Sequence, residues 1–233
     1  MKSFLGRLVR LVGKLVMWFF ILSIGSVVLF RWMPVLFTPL MIIRWVEYVA
    51  DEKEEAQIRY DWVSIDDISP SMQRAVIASE DQKFLEHNGF DLEAMQKAWE
   101  GNKKGKNVKG ASTITQQTVK NVFLWPSRTY LRKGLEAYFT VLVELIWTKE
   151  RILEVYLNVV EVGKGKYGVA IAARDFYQTE PAKLGQRQSA MIAAILPSPR
   201  RWNPTRPTPY IVGRQAWIMG QMRNLGPLPW LEK

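Results

Sequence analysis

The stretch Gly110–Asn121, with the sequence GASTITQQTVKN, is the most informative part of the chain. Thr113 followed three residues later by Gln116 is the pattern of a capping box, which predicts the start of a helix. Polar side chains then recur at the spacing of one helical face, at Thr113, Gln116, Gln117 and Lys120. Apolar side chains fall on the other side, at Ile114, Val119, Val122 and Phe123. The pattern predicts a helix with one buried side and one side of hydroxyls, amides and an ammonium group.

Basic charge surrounds this predicted helix. No Asp or Glu occurs from Gly101 to Leu135, whereas basic residues occur at Lys103, Lys104, Lys106, Lys109, Lys120, Arg128, Arg132 and Lys133. A helix start also attracts anions through its free N–H groups and its dipole. We therefore expect this region to bind a strongly anionic group. The net charge of +10 agrees, and on its own would suit nucleic acid, anionic lipid or a phosphate-bearing substrate.

Composition excludes some chemistry. The chain has no cysteine, which rules out disulfides and thiolate catalysis, and its one histidine, His87, cannot make a multi-histidine metal site. At 233 residues it has the length of one membrane-anchored domain.

The N-terminus carries an apolar run from Leu15 to Phe30, between Lys14 and Arg31. These sixteen residues would span about 24 Å as a helix, and the preceding Leu-Val-Gly extends the run toward the ~30 Å of a bilayer core. We predict a cytoplasmic tip and single transmembrane helix over residues 1–31. Basic residues precede the run, which predicts a cytoplasmic N-terminus and an exported body. The alternative is a signal peptide cleaved near Ser23–Gly25, but the apolar run continues well beyond that point.

A second apolar patch, Trp32–Val49, contains two prolines, Arg44 and Glu47. We predict that it lies on the outer leaflet, in a membrane-proximal segment and linker covering residues 32–58. The alternative, a return span, would leave the body in the cytoplasm.

Residues 59–233 form the predicted catalytic domain, which is mainly α. Helix starts are predicted after capping residues at Ser69, Asp91, Thr129 and Thr148, and at Pro209. For the helix after Asp91 we expect an inner face of Leu92, Met95 and Trp99 and an end at Gly101. A mobile loop is then predicted over residues 101–110.

An acidic pair, Glu80 and Asp81, follows the apolar residues Val76 and Ile77 at the end of a predicted helix. Such a pair is more often ordinary solvated surface, whereas a partly desolvated carboxylate suits a general base. The surrounding sequence favours the second interpretation, because residues 80–91 fit E-D-x-x-F-x-x-H-x-G-x-D.

That string resembles the first signature of the peptidoglycan glycosyltransferases, and of their monofunctional biosynthetic members in particular. Residues 110–121 match the second signature, residues 132–137 (RKGLEA) the third and residues 149–163 the fourth. Later segments resemble the family too, at Tyr167–Gly168, Ala172–Arg174, Leu196–Pro199 and Asn203–Pro204. The resemblance implies a lysozyme-like helical domain that polymerises lipid II into β-1,4-linked glycan strands and releases undecaprenyl diphosphate.

The resemblance also implies residue roles. Glu80 would deprotonate the acceptor 4-hydroxyl, and Lys120 and Arg128 would hold the donor diphosphate. Glu136 matches the second acidic residue of the family. The implied substrate-binding set is Asp81, Ser112, Thr113, Gln116, Gln117, Lys120, Arg128, Arg132 and Lys133. From spacing alone, Glu136 is equally explained as an ordinary helix salt bridge to Arg132 and Lys133. His87 is better explained as a structural hydrogen-bonding group.

No cofactor is required by the sequence, and no carboxylate cluster builds a metal cage. A divalent cation, Mg²⁺ or Mn²⁺, would be held mainly by the substrate diphosphate. The implied partners are lipid II, the growing glycan-undecaprenyl diphosphate and the bacterial inner membrane, with the domain in the periplasm; cell-wall synthesis or division proteins are candidates, and nucleic acid is not expected.

Two alternative functions are a lytic enzyme of similar fold that cleaves glycan, and a non-enzymatic basic membrane protein that binds nucleic acid or lipid. The lytic enzyme would not need the acid-free basic stretch. A nucleic-acid-binding protein would need aromatic residues among the basic ones to stack on the bases.

Overall fold

The computed structural model of the chain describes residues 2–50, 57–103, 111–127 and 129–232, with only the backbone of residues 2–5 and 102. It separates into two compact units, Met1–Pro34 and Val35–Lys233. The first unit is essentially one helix, α1 (Lys2–Phe30). Its stretch Gly6–Phe30 has 25 residues and a mean hydropathy of 2.1, which is long and apolar enough to cross a membrane. At 1.5 Å per residue that stretch is about 38 Å long, so no extension is needed to reach ~30 Å.

Helices make up most of the described part of the second unit, which confirms the predicted mainly α class. After α1 the helices are α2 (Pro39–Ala50), α3 (Pro70–Glu80), α4 (Leu92–Lys103), α5 (Ile114–Phe123), α6 (Tyr130–Ile146), α7 (Lys149–Val159), α8 (Gly168–Tyr177), α9 (Gln186–Ile195) and α10 (Pro209–Asn224). A short antiparallel hairpin, β1 (Glu161–Gly163) and β2 (Lys166–Tyr167), lies between α7 and α8. Short 3-10 turns cover Ile65–Asp67, Pro181–Lys183 and Pro229–Leu231.

The predicted capping residues begin their helices as expected. Ser69 accepts from the N–H of Ser71, Thr129 from that of Arg132, and Thr148 from that of Arg151. Each side-chain oxygen satisfies one of the N–H groups that a first helical turn leaves without a partner. These short-range rules therefore fix the helix starts.

Two groups of helices build the core of the second unit. One group consists of α3, α9 and α10, and the other of α5, α6 and α7, while α2 packs on α5 and α8 packs on α7. Helices α7 and α9 are buried on nearly all sides, with Tyr156 and Ile192 fully inaccessible. Helix α3 belongs to one group and α5 to the other. The end of α3 and the residues just before α5 line a common cleft.

The inner face predicted for α4 is wrong. Leu92, Met95 and Trp99 are 73 %, 42 % and 59 % exposed, and the half-buried positions are the small residues Ala94 and Ala98. Periodicity identifies an apolar stripe, but it does not say whether another element covers that stripe. The predicted end is wrong as well, because Gly101 lies inside α4, which continues to Lys103. The rest of the predicted loop, residues 104–110, lies outside the described residues.

Helix α2 is amphipathic. Met41 and Tyr48 are buried, whereas Ile42, Trp45 and Val49 are exposed. Its 12 residues are about 18 Å long, which is less than the ~30 Å of a bilayer core.

Candidate active site

Glu80 is the last residue of α3, at the edge of the cleft between the two helix groups. Its Oε1 accepts from Ser79 Oγ at 3.0 Å, and its Oε2 accepts from Gln117 Nε2 at 3.2 Å. Ser79 is held in turn by Arg214 of α10, whose Nη2 donates to Ser79 Oγ at 3.2 Å. Within the described part of the chain, Glu80 forms no ion pair. Its half-buried carboxylate is thus oriented by neutral donors and remains available to accept a proton.

Asp81, the adjacent acid, has both carboxylate oxygens bonded to protein groups. Its Oδ2 accepts from the N–H of Ile114, the first residue of α5, at 3.0 Å, and its Oδ1 lies 2.8 Å from His87 Nε2. Its side chain is buried, and the negative charge sits at the positive end of α5. Asp81 therefore fixes the start of α5 relative to Glu80.

Other residues of the first signature also help to fix the start of α5. His87 Nδ1 accepts from the N–H of Gly89 at 3.1 Å, and the carbonyl of Gly89 accepts from Thr113 Oγ1 at 2.7 Å. Gly89 has a φ of +84°, and a Cβ there would lie 2.5 Å from Thr140 Cγ2. Only glycine combines this backbone conformation with such close packing. Asp91 caps α4 through the N–H of Ala94 at 2.8 Å.

The capping box predicted at the start of α5 is present. Thr113 Oγ1 accepts from the N–H of Gln116 at 3.2 Å, and Gln116 Oε1 accepts from the N–H of Thr113 at 3.1 Å. Both side chains are buried. Of the four polar residues predicted on one face of α5, Thr113 and Gln116 thus close the helix end, whereas Gln117 and Lys120 are accessible.

A cleft of about 220 Å³ opens where the end of α3 meets the start of α5. It is lined by Ser79, Glu80, Asp81, Gln82, Asp91, Ala94, Ala111, Ser112 and Thr113. Ser112 is exposed and lies just before the first turn of α5. The residue types suit a small polar group such as a sugar ring.

Gln117 links Glu80 to a residue that sequence reasoning did not single out. The Tyr156 hydroxyl donates to Gln117 Oε1 at 3.3 Å, which leaves the amide nitrogen to face Glu80. Tyr156 is completely buried, and burial followed by the nearby carboxylates of Glu80 and Asp81 raises its pKa well above the usual value. Tyr156 is therefore a neutral donor that orients the amide. Its only sequence signal was its place inside the fourth signature.

Lys120 lies one turn beyond Gln117 and belongs to a cluster of cations. Arg132 Nη1 and Lys133 Nζ, both on α6, each donate to a different oxygen of the Glu136 carboxylate. Glu136 is buried, and it interacts electrostatically with Lys120 as well. The carboxylate of Glu136 therefore pairs with Arg132 and Lys133, as the helical spacing predicted, and also attracts Lys120. Arg128, the remaining predicted cation, lies outside the described residues.

Lys120 is partly desolvated by neighbouring protein atoms although its side chain is exposed. Burial of the ammonium lowers its pKa, Arg132 and Lys133 lower it further, and Glu136 and Glu161 raise it. The side chain nevertheless remains accessible to solvent. An ammonium that is surrounded by protein atoms and still open to solvent is well placed to bind an anion from outside.

The described residues do not build a metal site. No group of three or more His, Asp or Glu side chains in this part of the chain could hold a metal ion. Glu80 and Asp81 point to different partners, and Glu136 is occupied by cations, so the donor set does not fit a resident cation.

Gln117 of α5 contacts the carboxylate of Glu80 at the edge of the cleft, and the cation Lys120 lies one turn further along α5. A proton acceptor and a cation so arranged suit a group transfer with an anionic leaving group. Residues 47–223 match the family model described as Transglycosylase, which is more than half of the chain. A protein of Bdellovibrio bacteriovorus named biosynthetic peptidoglycan transglycosylase is 51 % identical over 222 residues, covering 95 % of this chain and 88 % of that protein. Proteins of the same name from Bacteroides thetaiotaomicron and Pseudomonas putida are 48 % identical over 227 residues and 47 % identical over 222 residues. They cover 97 % and 95 % of this chain, and 91 % and 94 % of their own lengths. The chain belongs to the family of peptidoglycan transglycosylases, glycosyltransferase enzymes whose domain is helical and lysozyme-like.

Proposed function

We propose that this enzyme polymerises lipid II into β-1,4-linked glycan strands and releases undecaprenyl diphosphate. The observation that carries the proposal is the arrangement along α5. Gln117 contacts the carboxylate of Glu80, and one turn further on Lys120 belongs to the cation cluster around Glu136. A proton acceptor and an anion site thus lie at two positions along one helix.

The reaction needs one base and a stabilised leaving group. Glu80 accepts the proton of the acceptor 4-hydroxyl while that oxygen attacks the anomeric carbon of the donor. The bond from this carbon to the diphosphate oxygen breaks, and its electron pair leaves with the diphosphate. Lys120, Arg132 and Lys133, together with Arg128, neutralise the departing charge. Attack from the face opposite an α-linked diphosphate gives the β product.

The contacts divide the predicted substrate-binding residues into two groups. Ser112, Lys120 and Lys133 are exposed and Gln117 and Arg132 are half-buried, so these five would contact the substrate directly. Asp81, Thr113 and Gln116 already bond to protein groups, and we assign them a positioning role. Because both oxygens of Glu136 are paired with cations, we assign it the task of gathering those cations, not a step in the chemistry.

A divalent cation would enter only with the substrate. Because the described side chains do not fit a metal site, Mg²⁺ or Mn²⁺ would be carried by the diphosphate oxygens.

The membrane arrangement follows from α1 and α2. We propose that residues 1–31 form the cytoplasmic tip and a single span of the inner membrane, with the N-terminus in the cytoplasm. Residues 32–58 then lie at the outer surface of that membrane, and residues 59–233 form the periplasmic domain. The exposed apolar side of α2 supports the interfacial placement. Lipid II and the growing strand would reach the cleft from the same membrane, where cell-wall synthesis or division proteins are candidate neighbours.

A polymerisation assay on the detergent-solubilised full chain tests the function. Incubation with lipid II should give glycan polymer. Soluble fragments from finished sacculi, without polymer from lipid II, would instead support the lytic alternative. Steeply salt-dependent DNA binding without turnover would support the non-enzymatic one.

Two variants test the residue roles. Glu80→Gln should abolish polymerisation and leave lipid II binding nearly intact, with Glu86→Gln, an exposed acid in the same loop, as the matched control. Lys120→Ala should weaken binding of the diphosphate, with the exposed Lys183→Ala as the control. Turnover at the wild-type rate in Glu80→Gln would remove Glu80 from the role of base.

A further inference from the structure

Arg214 of α10 is a basic residue that the mechanism above does not use. Its Nη2 donates to Ser79 Oγ at 3.2 Å, and Ser79 Oγ lies 3.0 Å from Oε1 of Glu80. Two hydrogen bonds in series therefore connect α10 to the base. Ser79 also lines the cleft beside Glu80, so the connection ends at the place where we expect the chemistry.

The hydroxyl of Ser79 has one hydrogen and two groups that could accept it. They are the Glu80 carboxylate at 3.0 Å and the carbonyl of Ala193 at 3.5 Å. Because the Ser79 oxygen accepts from Arg214, its hydrogen has to point away from the guanidinium, toward one of these acceptors. The shorter bond, to a charged oxygen, is the stronger of the two. Arg214 thus favours the hydroxyl orientation that holds Glu80.

The half-buried guanidinium of Arg214 has few other contacts. It forms no ion pair in the part of the chain that the structure describes, and its Nε is inaccessible to solvent and has no hydrogen-bond partner there. The centre of the Trp217 ring, one turn along α10, lies 5.5 Å from its Cζ. Burying an incompletely bonded polar group opposes folding. Stability alone therefore does not explain why an arginine occupies this position.

A second arginine joins the same two helices at their other ends. Arg74 of α3 donates to three carbonyls at and just beyond the end of α10, those of Met222, Leu225 and Gly226, at 2.9, 2.6 and 3.0 Å. Carbonyls at a helix end lack partners within the helix, so these bonds are structural. They hold α3 to α10 independently of Arg214.

We infer that Arg214 is a positioning residue for the base and acts through Ser79. By directing the Ser79 hydrogen to Glu80, it keeps the carboxylate in one orientation at the cleft, while Gln117 holds the other oxygen. A base has to lie within hydrogen-bond reach of the proton it takes, so a carboxylate that is free to rotate would reach that geometry less often. The inference rests on the proposed function, because it takes Glu80 as the proton acceptor of polymerisation.

The test is a double-mutant cycle of Arg214→Met and Ser79→Ala in the full chain, with lipid II as substrate in detergent. Each single variant should lower kcat about tenfold, because each removes a charge-assisted hydrogen bond from the series. Neither variant should change KM or the binding of undecaprenyl diphosphate, since the cations that hold the diphosphate are untouched.

The double variant decides whether Arg214 acts through Ser79. Its kcat should equal that of the slower single variant, because removing Ser79 already breaks the series. Arg214→Lys keeps a charged donor and should recover part of the kcat that Arg214→Met loses. A loss of about a hundredfold in the double variant, as expected for independent effects, would overturn the inference. Wild-type kcat in Arg214→Met would overturn it as well.

Arg74→Met is the matched control, because it replaces an arginine between the same two helices. It should lower the unfolding midpoint, since three carbonyls lose their donor, and retain wild-type kcat below that midpoint. Arg214→Met should show the opposite, a wild-type midpoint with a reduced kcat. If Arg214→Met lowers the midpoint as much as Arg74→Met does, or fails to fold, Arg214 is a structural residue and the inference is wrong.

The outcomes for this inference and for the proposed function are separate. Absence of polymer in the wild-type protein would refute the function. Polymer from the wild type, with wild-type kcat in Arg214→Met, would refute only the role of Arg214.

Discussion

Replacing Asp81 with asparagine should separate positioning from chemistry in the acidic pair at the end of α3. Gly89 donates its N–H to His87 Nδ1, so the neutral imidazole carries its proton on Nε2 and donates it to Asp81 Oδ1. The other carboxylate oxygen accepts from the N–H of Ile114. Asp81 thus accepts a hydrogen bond on each oxygen, and an asparagine amide has only one oxygen to offer.

The expected loss of stability follows from these two bonds. Whichever way the amide is turned, its NH₂ group faces another donor, which leaves a buried donor unsatisfied at about 1–3 kcal/mol. Losing the negative charge at the start of α5 removes up to about 1 kcal/mol more. A total of roughly 1–4 kcal/mol should lower the unfolding midpoint by roughly 2–16 °C in a chain of this size.

Thermal unfolding of the full chain in detergent, followed by tryptophan fluorescence, measures this loss. Glu80→Gln is the matched variant. Its amide oxygen can still accept from Gln117 Nε2, and its NH₂ group can donate to the Ser79 hydroxyl, so its stability should change by only about 0.5 kcal/mol. Asp81→Asn should lose stability and part of its turnover, whereas Glu80→Gln should lose turnover alone. An unchanged midpoint in Asp81→Asn, together with complete loss of polymerisation, would refute the positioning role.

Three further predictions concern the neighbourhood of α5. Gly89→Ala should lower the free energy of unfolding by at least about 2 kcal/mol, because the new Cβ would meet Thr140 in a left-handed backbone conformation. Gly101→Ala, in open space on α4, is its control and should stabilise the chain by about 0.5–1 kcal/mol in the same unfolding measurement. Glu136→Gln should lower the free energy of unfolding by about 3 kcal/mol and raise KM for lipid II, because it leaves Arg132 and Lys133 unpaired. Wild-type stability with loss of kcat would instead indicate a direct chemical role for Glu136. Undecaprenyl diphosphate binding should be complete below the pKa of Lys120 and decline as the pH rises through that pKa. Because the pKa of Lys120 is lowered, the decline should come below pH 10.5, the ordinary pKa of lysine. Lys120→Arg should remove the decline in the same binding titration.

The sequence predicted best what depends on neighbouring residues. The capping box of α5 and the starts of α3, α6 and α7 are set by hydrogen bonds within one turn, so the residue types alone identify them. The pairing of Glu136 with Arg132 and Lys133 is likewise fixed by helical spacing.

Features that depend on distant contacts were not predictable in this way. The apolar stripe of α4 was expected inside and lies at the surface, because nothing in its own sequence states whether another helix covers it. In α6 the polar residues Glu136 and Thr140 are buried together with Phe139 and Val143, while Leu131 and Leu145 are exposed. The position of Tyr156 beside Gln117 joins residues 39 apart in the sequence, and no spacing rule reports such a contact.

The contacts explain why so many residues near a single base are needed. Glu80 belongs to α3, and the cations Arg132 and Lys133 belong to α6. Helix α5 connects the two, because its Gln117 bonds to Glu80 and the helix packs on α6. A displacement of α5 would move Gln117 and Lys120 together, away from the base on one side and from the leaving group on the other. Asp81, His87, Gly89 and Thr113 all act on the first turn of α5 and prevent that displacement. Many residues of the first two signatures therefore serve to hold α5 in place. We expect variants at these four positions to change stability and turnover together.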